Sequence, residues 1–233
     1  GKVIFNRKLP VNIYGNKKII NTYDGSYTFY SMEYNESYKT KSVGAYAESL
    51  HKFVKGTNII NQALKKDIKV LDICFGIGLN LAVTFDEALK HNVCNKIHAV
   101  SVEKDYSLIN IVKNTNILMP VKGYNIVRKL LNNNIYNNFS MELYIQDAVE
   151  FIYSLNHKFD IIYFDPFSKK HNSEMWSDNM FLKLNSLLYK GGVLTTYASS
   201  KTIKESLVNA GFQISSLQSI GARFQPATKA IKI

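Results

Sequence analysis

Two cysteines, four prolines and a single tryptophan are all that 233 residues contain of those types. Cys74 and Cys94 are too few for a disulfide framework and stand at no metal-ligand spacing, so a reducing compartment and no metal are expected. No proline-, glycine- or serine-rich tract separates one part of the chain from another and no internal repeat is present, so one compact unit is expected. No stretch approaches the roughly 18 consecutive apolar residues of a membrane span. The N-terminal GKVIFNRKLPVNIYGNKK interleaves charges with short apolar runs where a signal peptide would carry a hydrophobic core. Neither secretion nor membrane insertion is expected, and the cytoplasm is the expected compartment. Arginine is scarce as well: Arg7, Arg128 and Arg223 are the only ones.

What is present is an ordinary globular composition, 46% hydrophobic and 20% charged, enough for a buried core. Lysine makes the chain basic, with a formal net charge of +11 and a pI near 9.4. Such a surface supports contact with nucleic acid without specifying it. An AT-rich genome alone would also produce a chain crowded with Lys, Asn, Ile and Tyr.

Asp24-Gly25 lies between two β-prone runs in KKIINTYDGSYTFYS (17–31), the signature of a tight hairpin. A helical pattern runs from Val43 to about Asn61. Strands and helices then alternate: strands at 69–75, 96–103, 142–147, 160–167 and 191–199, helices at 79–91, 105–117, 148–155, 175–189 and 201–210. The tract from Asn132 to Asn138 reads as a loop in an insertion. Near-continuous apolar strands between helices predict an α/β fold with a doubly wound, mostly parallel sheet. FQISSLQSI and TKAIKI would close that sheet with an antiparallel pair, as in class I methyltransferases. Residues 1–62 are expected to form a hairpin and helix extension, and 63–233 the main domain.

The first strand-to-helix junction reads Asp72-Ile73-Cys74-Phe75-Gly76-Ile77-Gly78-Leu79-Asn80. Its glycines permit a tight turn and close backbone approach to a ligand at a helix N-terminus. Leu81 occupies the place of the third glycine of a dinucleotide fingerprint, and no Gly-Lys-Ser/Thr follows, so both phosphate-binding readings lose ground. S-adenosyl-L-methionine carries a sulfonium cation and no phosphate, and asks for a glycine loop together with carboxylates. Asp72 falls in the first strand, Glu103 at the end of the second, placed to accept from the ribose hydroxyls, and Asp147 at the end of the third, near the adenine. A carboxylate at a strand end also commonly caps the next helix, and each of the three admits that reading.

The fourth strand ends in Asp165-Pro166-Phe167-Ser168, followed by Lys169-Lys170-His171-Asn172-Ser173-Glu174-Met175-Trp176. An amine that attacks a methyl sulfonium needs an exposed lone pair, and a carboxylate can hold its hydrogens and take a proton. Phe167 is able to pack against a planar base, in a turn similar to the Asp/Asn-Pro-Pro-aromatic turn of amino-methylating nucleic acid enzymes. A helix-capping Asp165 with Trp176 as core filler is the plainer alternative.

Taken together these segments resemble the bacterial MnmC methyltransferases, which form the methylaminomethyl group of the tRNA wobble uridine. The resemblance rests on Asp24-Gly25-Ser26 with Thr28, Tyr38, Gly44-Ala45-Tyr46-Ala47-Glu48-Ser49, Phe75 to Asn80, Asp147-Ala148, Asp160 to Asp165, Asn172 to Trp176, Gly191-Gly192 and Tyr197-Ala198-Ser199. It implies S-adenosyl-L-methionine as cofactor, tRNA as partner and Asp165 as the catalytic carboxylate. Gly76, Gly78, Glu103 and Asp147 would hold the cofactor with Glu48 reaching it from the N-terminal segment, and Asp72, Asn80 and Asp165 itself are counted with them. Phe167, Lys169, Lys170 and Trp176 would meet the substrate. The chain departs from the family at Pro166, where glycine is usual, and at 222–227, which lacks a basic run. It has no second glycine fingerprint for a flavin-dependent oxidase, so a stand-alone methyltransferase is expected, its aminomethyl substrate supplied by a separate enzyme.

Other readings remain. Tyr23, Tyr27, Phe29, Tyr30, Tyr34 and Tyr38 suit base stacking or hairpin packing; Lys169, Lys170 and His171 suit tRNA phosphates or a solvated loop. His51, His91, His98 and His157 form no metal or triad spacing. An aminopropyltransferase-like enzyme acting on a polyamine, and a noncatalytic adenosyl-ligand or RNA-binding module, are the alternative classes.

Overall fold

The computed structural model describes residues 44–114, 121–217 and 226–233 in full and, ahead of them, the backbone of residues 13–14, 17–21, 27–31 and 36–37. Those early segments are four strands, β1 (Ile13–Tyr14), β2 (Lys17–Asn21), β3 (Tyr27–Ser31) and β4 (Glu36–Ser37), paired antiparallel in chain order. The expected hairpin is the β2/β3 pair, with Asn21 opposite Tyr27. Its Asp24-Gly25 turn lies outside the described residues, as do Tyr23, Tyr34 and Tyr38.

The single helix expected from Val43 to Asn61 is three pieces, with Val43 itself outside the described residues: α1 (Ala45–Ser49), a π-helical stretch (Leu50–Lys55) and α2 (Ile59–Ala63). The break has a local cause. The Thr57 hydroxyl donates to the Phe53 carbonyl at 2.6 Å, and Asn58 turns into the left-handed region at φ 58°. Asn tolerates that conformation better than branched residues do.

The main sheet has eight strands in the order β11-β12-β10-β9-β5-β6-β8-β7. These are β5 (Ile68–Ile73), β6 (Ile97–Val102), β7 (Ile135–Tyr136), β8 (Phe139–Tyr144), β9 (Phe159–Phe164), β10 (Leu188–Thr196), β11 (Phe212–Leu217) and β12 (Ala227–Lys232). The five central strands are parallel, and β12 and β11 close one edge antiparallel, as read from FQISSL and TKAIKI. The helices are α3 (Leu79–Lys90), α4 (Tyr106–Asn114), α5 (Gly123–Asn133), α6 (Ala148–Ser154), α7 (Asp178–Ser186) and α8 (Lys201–Asn209).

The central strands alternate between two cores, which is why they read as unbroken apolar runs. Val70, Ala99, Ile161 and Tyr163 pack with Phe53, Phe85, Leu108 and Tyr124 from the π-helical stretch, α3, α4 and α5. Leu71, Val100, Ile162 and Phe164 pack with Phe151, Phe181 and Leu207 from α6, α7 and α8.

Four expectations need correction. The third parallel strand is Phe139–Tyr144 and not 142–147, so it ends three residues before Asp147. The tract from Asn132 to Asn138 is the end of α5 and a β7/β8 hairpin, not an insertion loop. There Asn134 (φ 61°) terminates the helix and Asn137 (φ 52°) lies in the hairpin turn, both using the left-handed backbone that Asn accepts. The helix expected at 175–189 is a 3₁₀ turn (Ser173–Trp176) followed by α7. The last parallel strand begins at Leu188, before a register shift at the Gly191-Gly192 pair, where Gly191 has φ 81°. Of the helix expected at 105–117, residues 106–114 are α4 and 115–117 lie outside the described residues.

Candidate active site

From β5 the chain builds outward through β6 to β8, and α6 then returns it to β9 on the other side of β5. Strand order reverses between β5 and β9, the position where open α/β sheets bind ligands beyond the strands' carboxyl ends. Two loops meet there: residues 74–78 after β5 and 165–172 after β9. The second is tied to the end of β5, the Asp165 N–H donating to the Ile73 carbonyl at 3.4 Å.

The first loop turns through three positive φ angles, at Cys74 (69°), Gly76 (59°) and Gly78 (74°). At Gly78 a Cβ would lie 2.5 Å from the Phe75 ring, so the tight turn closed by the Gly78 N–H on the Phe75 carbonyl (2.8 Å) requires glycine. Cys74 holds a left-handed conformation without that freedom, at a cost on the order of 1 kcal/mol.

The Glu103 carboxylate ties this loop to the next. Its Oε1 accepts the Gly76 N–H at 2.8 Å and its Oε2 the Asp105 N–H at 3.0 Å. Burial pushes the Glu103 carboxyl up, and the backbone donors pull against that shift. Around Cys74 the charges are mostly acidic. Burial first, then Glu103, Asp165 and Asp72, push its thiol well above the ordinary range, with Lys104 opposing.

Asp165 itself is half-buried, and its Oδ2 accepts from the Asn80 side-chain amide at 3.0 Å. The turn behind it is pinned twice. The Trp176 indole N–H donates to the Phe167 carbonyl at 2.7 Å, and the Tyr197 hydroxyl donates to the Pro166 carbonyl at 2.8 Å. Trp176 is buried, edge-on to Phe164 at 4.9 Å and to Tyr197 at 5.7 Å.

Five of the residues singled out in the sequence therefore converge on one crevice: Gly76, Gly78, Asn80, Glu103 and Asp165. Glu48 is buried on α1, 3.4 Å from the equally buried Lys52 ammonium. Asp72 lies beneath the loop at 1% exposure and accepts from Ser101 at 2.8 Å, so its charge reaches the loop only from below. Asp147 is exposed and N-caps α6, its Oδ2 accepting the Glu150 N–H at 3.1 Å; the capping role is the one the structure displays. Phe167 is half-buried, and Lys169 and Lys170 are exposed. The buried Trp176 supports the turn from below. Ser49 and Tyr197 both lie in family-like segments of the sequence without a role of their own there; no pattern in the sequence discloses that the Tyr197 hydroxyl holds Pro166, 31 residues away.

Glycine-loop backbone, a carboxylate at the end of β6 and an acidic surround suited to a sulfonium cation fit S-adenosyl-L-methionine. Among the described residues no group of three or more His, Cys, Asp or Glu side chains could hold a metal ion, and no helix is long and apolar enough to cross a membrane.

Comparison with known proteins agrees with this geometry. Residues 121–232 match a family model described as S-adenosyl-L-methionine-dependent methyltransferase. The chain is homologous to MnmC proteins. The bifunctional MnmC of Leptospira interrogans, named for tRNA 5-methylaminomethyl-2-thiouridine biosynthesis, is 25% identical over 87% of this chain and 33% of its own length. MnmC2 from Aquifex aeolicus superposes with a TM-score of 0.82 at 27% identity, over 95% of this chain and 72% of that one. A spermidine synthase, with a TM-score of 0.60 at 15% identity over 93% of this chain and 70% of its own, shares the fold alone. This chain spans 57% and 33% of the length of two curated relatives it matches.

Proposed function

We propose that this protein methylates a primary aminomethyl group on the wobble uridine of tRNA, converting 5-aminomethyl-2-thiouridine to its methylamino form, with the amine generated by a separate enzyme. The observation that carries this reading is the Asp165 carboxylate, held against the glycine loop by Asn80 at 3.0 Å in a turn fixed by Trp176 and Tyr197. Likeness to MnmC2 over 95% of the chain supports it, as does a net charge of +11 for a polyanionic partner.

Gly76, Gly78 and Glu103 are the residues that would hold S-adenosyl-L-methionine, with Glu48, Asp72 and Asp147 contributing charge or contact. When bound, that group supplies a methyl on a cationic sulfur, which leaves as a neutral thioether once an amine nitrogen takes the methyl. Asp165 accepts an N–H of the substrate amine, turns its lone pair toward the donor and takes up the proton the nitrogen sheds. The alkylammonium product is a far weaker acid than a carboxylic acid, so Asp165 holds that proton only in passing and relays it to solvent; Phe167 is half-buried in the same turn, and Lys169 and Lys170, exposed on the same loop, would meet phosphates. Residues 63–233 would carry the chemistry and 1–62 extend the surface offered to tRNA. The test is transfer of labelled methyl from S-adenosyl-L-methionine to tRNA bearing the unmethylated aminomethyl uridine, against tRNA lacking it. Label on the first alone is expected; equal label on both, or none, would refute the assignment.

A further inference from the structure

Asn80 is 5% exposed, at the second residue of α3, and its carboxamide is held at both ends. Its Oδ1 accepts the Ser49 hydroxyl at 2.7 Å, which fixes the amide orientation and leaves Nδ2 to face the Asp165 Oδ2 at 3.0 Å. Ser49 is fully buried and comes from α1, which lies on α3 through a second bond, Tyr46 Oη to Asp86 Oδ2 at 2.8 Å. Residues 31 and 85 positions distant from Asn80 are thus linked through it. A buried Asn inside a helix is a poor choice for packing alone: it has low helix propensity, and each polar atom left unmatched costs about 1–3 kcal/mol.

From this we infer that Asn80 is a positioning residue for Asp165, locked by Ser49 so that α1 docking fixes the rotation of the carboxylate that receives the substrate amine. The inference rests on Asp165 being that acceptor, and it reassigns Asn80 from cofactor contact to carboxylate orientation. A carboxylate offers about four lone-pair directions, so the Asn80 amide constrains its rotation while occupying one of them. The acceptor-only carboxylate selects the NH₂ end of the amide, and the Ser49 hydroxyl, by donating to Oδ1, holds the other end in place.

The test uses the full chain with Asn80→Ala, Asn80→Asp and Ser49→Ala. The first readout needs neither cofactor nor tRNA: the ¹³C carboxyl titration of Asp165, assigned by its disappearance in Asp165→Asn. Asn80→Asp places a second carboxylate against the first and should move the titration midpoint up by about one unit or more. Asn80→Ala should move it in the same direction by less, and Ser49→Ala by less again. The second readout is transfer: Asn80→Ala should lower kcat about tenfold or more while cofactor affinity stays within about twofold. Ser49→Ala keeps Asn80 and removes only the lock, so it carries the test should the Asn80 variants fold poorly. An Asp165 midpoint unmoved in every folded variant, or cofactor affinity falling as far as kcat, would overturn the inference. Wild-type protein that fails to methylate the tRNA would refute the proposed substrate while leaving the titration result standing.

Discussion

Glu103 and Cys74 show how the crevice treats charge at the level of single residues. Burial raises the Glu103 carboxyl, so its ionisation costs the folded state: the contribution favouring the fold is complete below the unfolded carboxylate value and is lost as pH rises through the higher folded value. Donors from a ligand's hydroxyls restore that loss only for the ionised form. Cofactor affinity, measured by calorimetry, is therefore expected to weaken as pH falls through the raised Glu103 value, and Glu103→Gln to flatten that dependence. The same substitution sets an amide NH₂ against one of the two backbone donors that Glu103 satisfies, so the thermal midpoint of the unliganded protein should fall. At Cys74 the thiol is held neutral by burial and neighbouring carboxylates, whereas Cys94 is exposed. An alkylating reagent at neutral pH should label Cys94 first and Cys74 slowly, as read by peptide mass analysis; the thiolate is the reacting form. Asp165→Ala should lower methyl transfer by about 10²–10⁴-fold, the usual span of a lost proton acceptor, with cofactor binding retained in the same calorimetric assay.

Among the elements, α3 and α5 meet backbone to backbone. A Cβ on Gly123, the first residue of α5, would stand 1.7 Å from the Ala82 carbonyl oxygen, so the helices approach as closely as backbone allows. Gly123→Ala should cost about 3 kcal/mol, the upper range for overpacking, and lower the thermal midpoint by roughly 6–12 °C. That helix was not legible in the sequence. Tyr124, Val127 and Leu130 keep a helical spacing toward the core, yet glycine at the start and asparagines at 132–134 carry loop preferences, and tertiary packing overrode them. The third parallel strand was misplaced for a related reason: Phe139 and Met141 are its buried residues, and the asparagines at 132–134 and 137–138 with the polar Ser140 hid its start. By contrast Val70 to Ile73, Ile161 to Phe164 and the glycine turn between β5 and α3 announced themselves, since a strand buried on both faces has no polar alternation to blur it.

For the molecule as a whole, chemistry-bearing residues at strand ends could be read from order along the chain, because the doubly wound topology brings every such end to one edge. The braces around them could not. Ser49 with Asn80, and Tyr197 with Pro166, are contacts between distant elements that no local pattern encodes. A chain with 29 Lys and Arg against 18 Asp and Glu should bind tRNA with a marked salt dependence, affinity falling linearly on logarithmic axes as salt rises. Lys169→Glu with Lys170→Glu should weaken that binding and reduce the salt slope by about two, read by fluorescence titration, if both lysines meet phosphates. The central claim, that Asp165 serves methyl transfer to an aminomethyl uridine, is tested most directly by nucleoside mass analysis of tRNA bearing that base after incubation with S-adenosyl-L-methionine and protein. One added methyl on that nucleoside with the wild-type chain, and none with Asp165→Ala, is the predicted result. An unmodified nucleoside with cofactor-competent wild-type protein, or full methylation by Asp165→Ala, would contradict it.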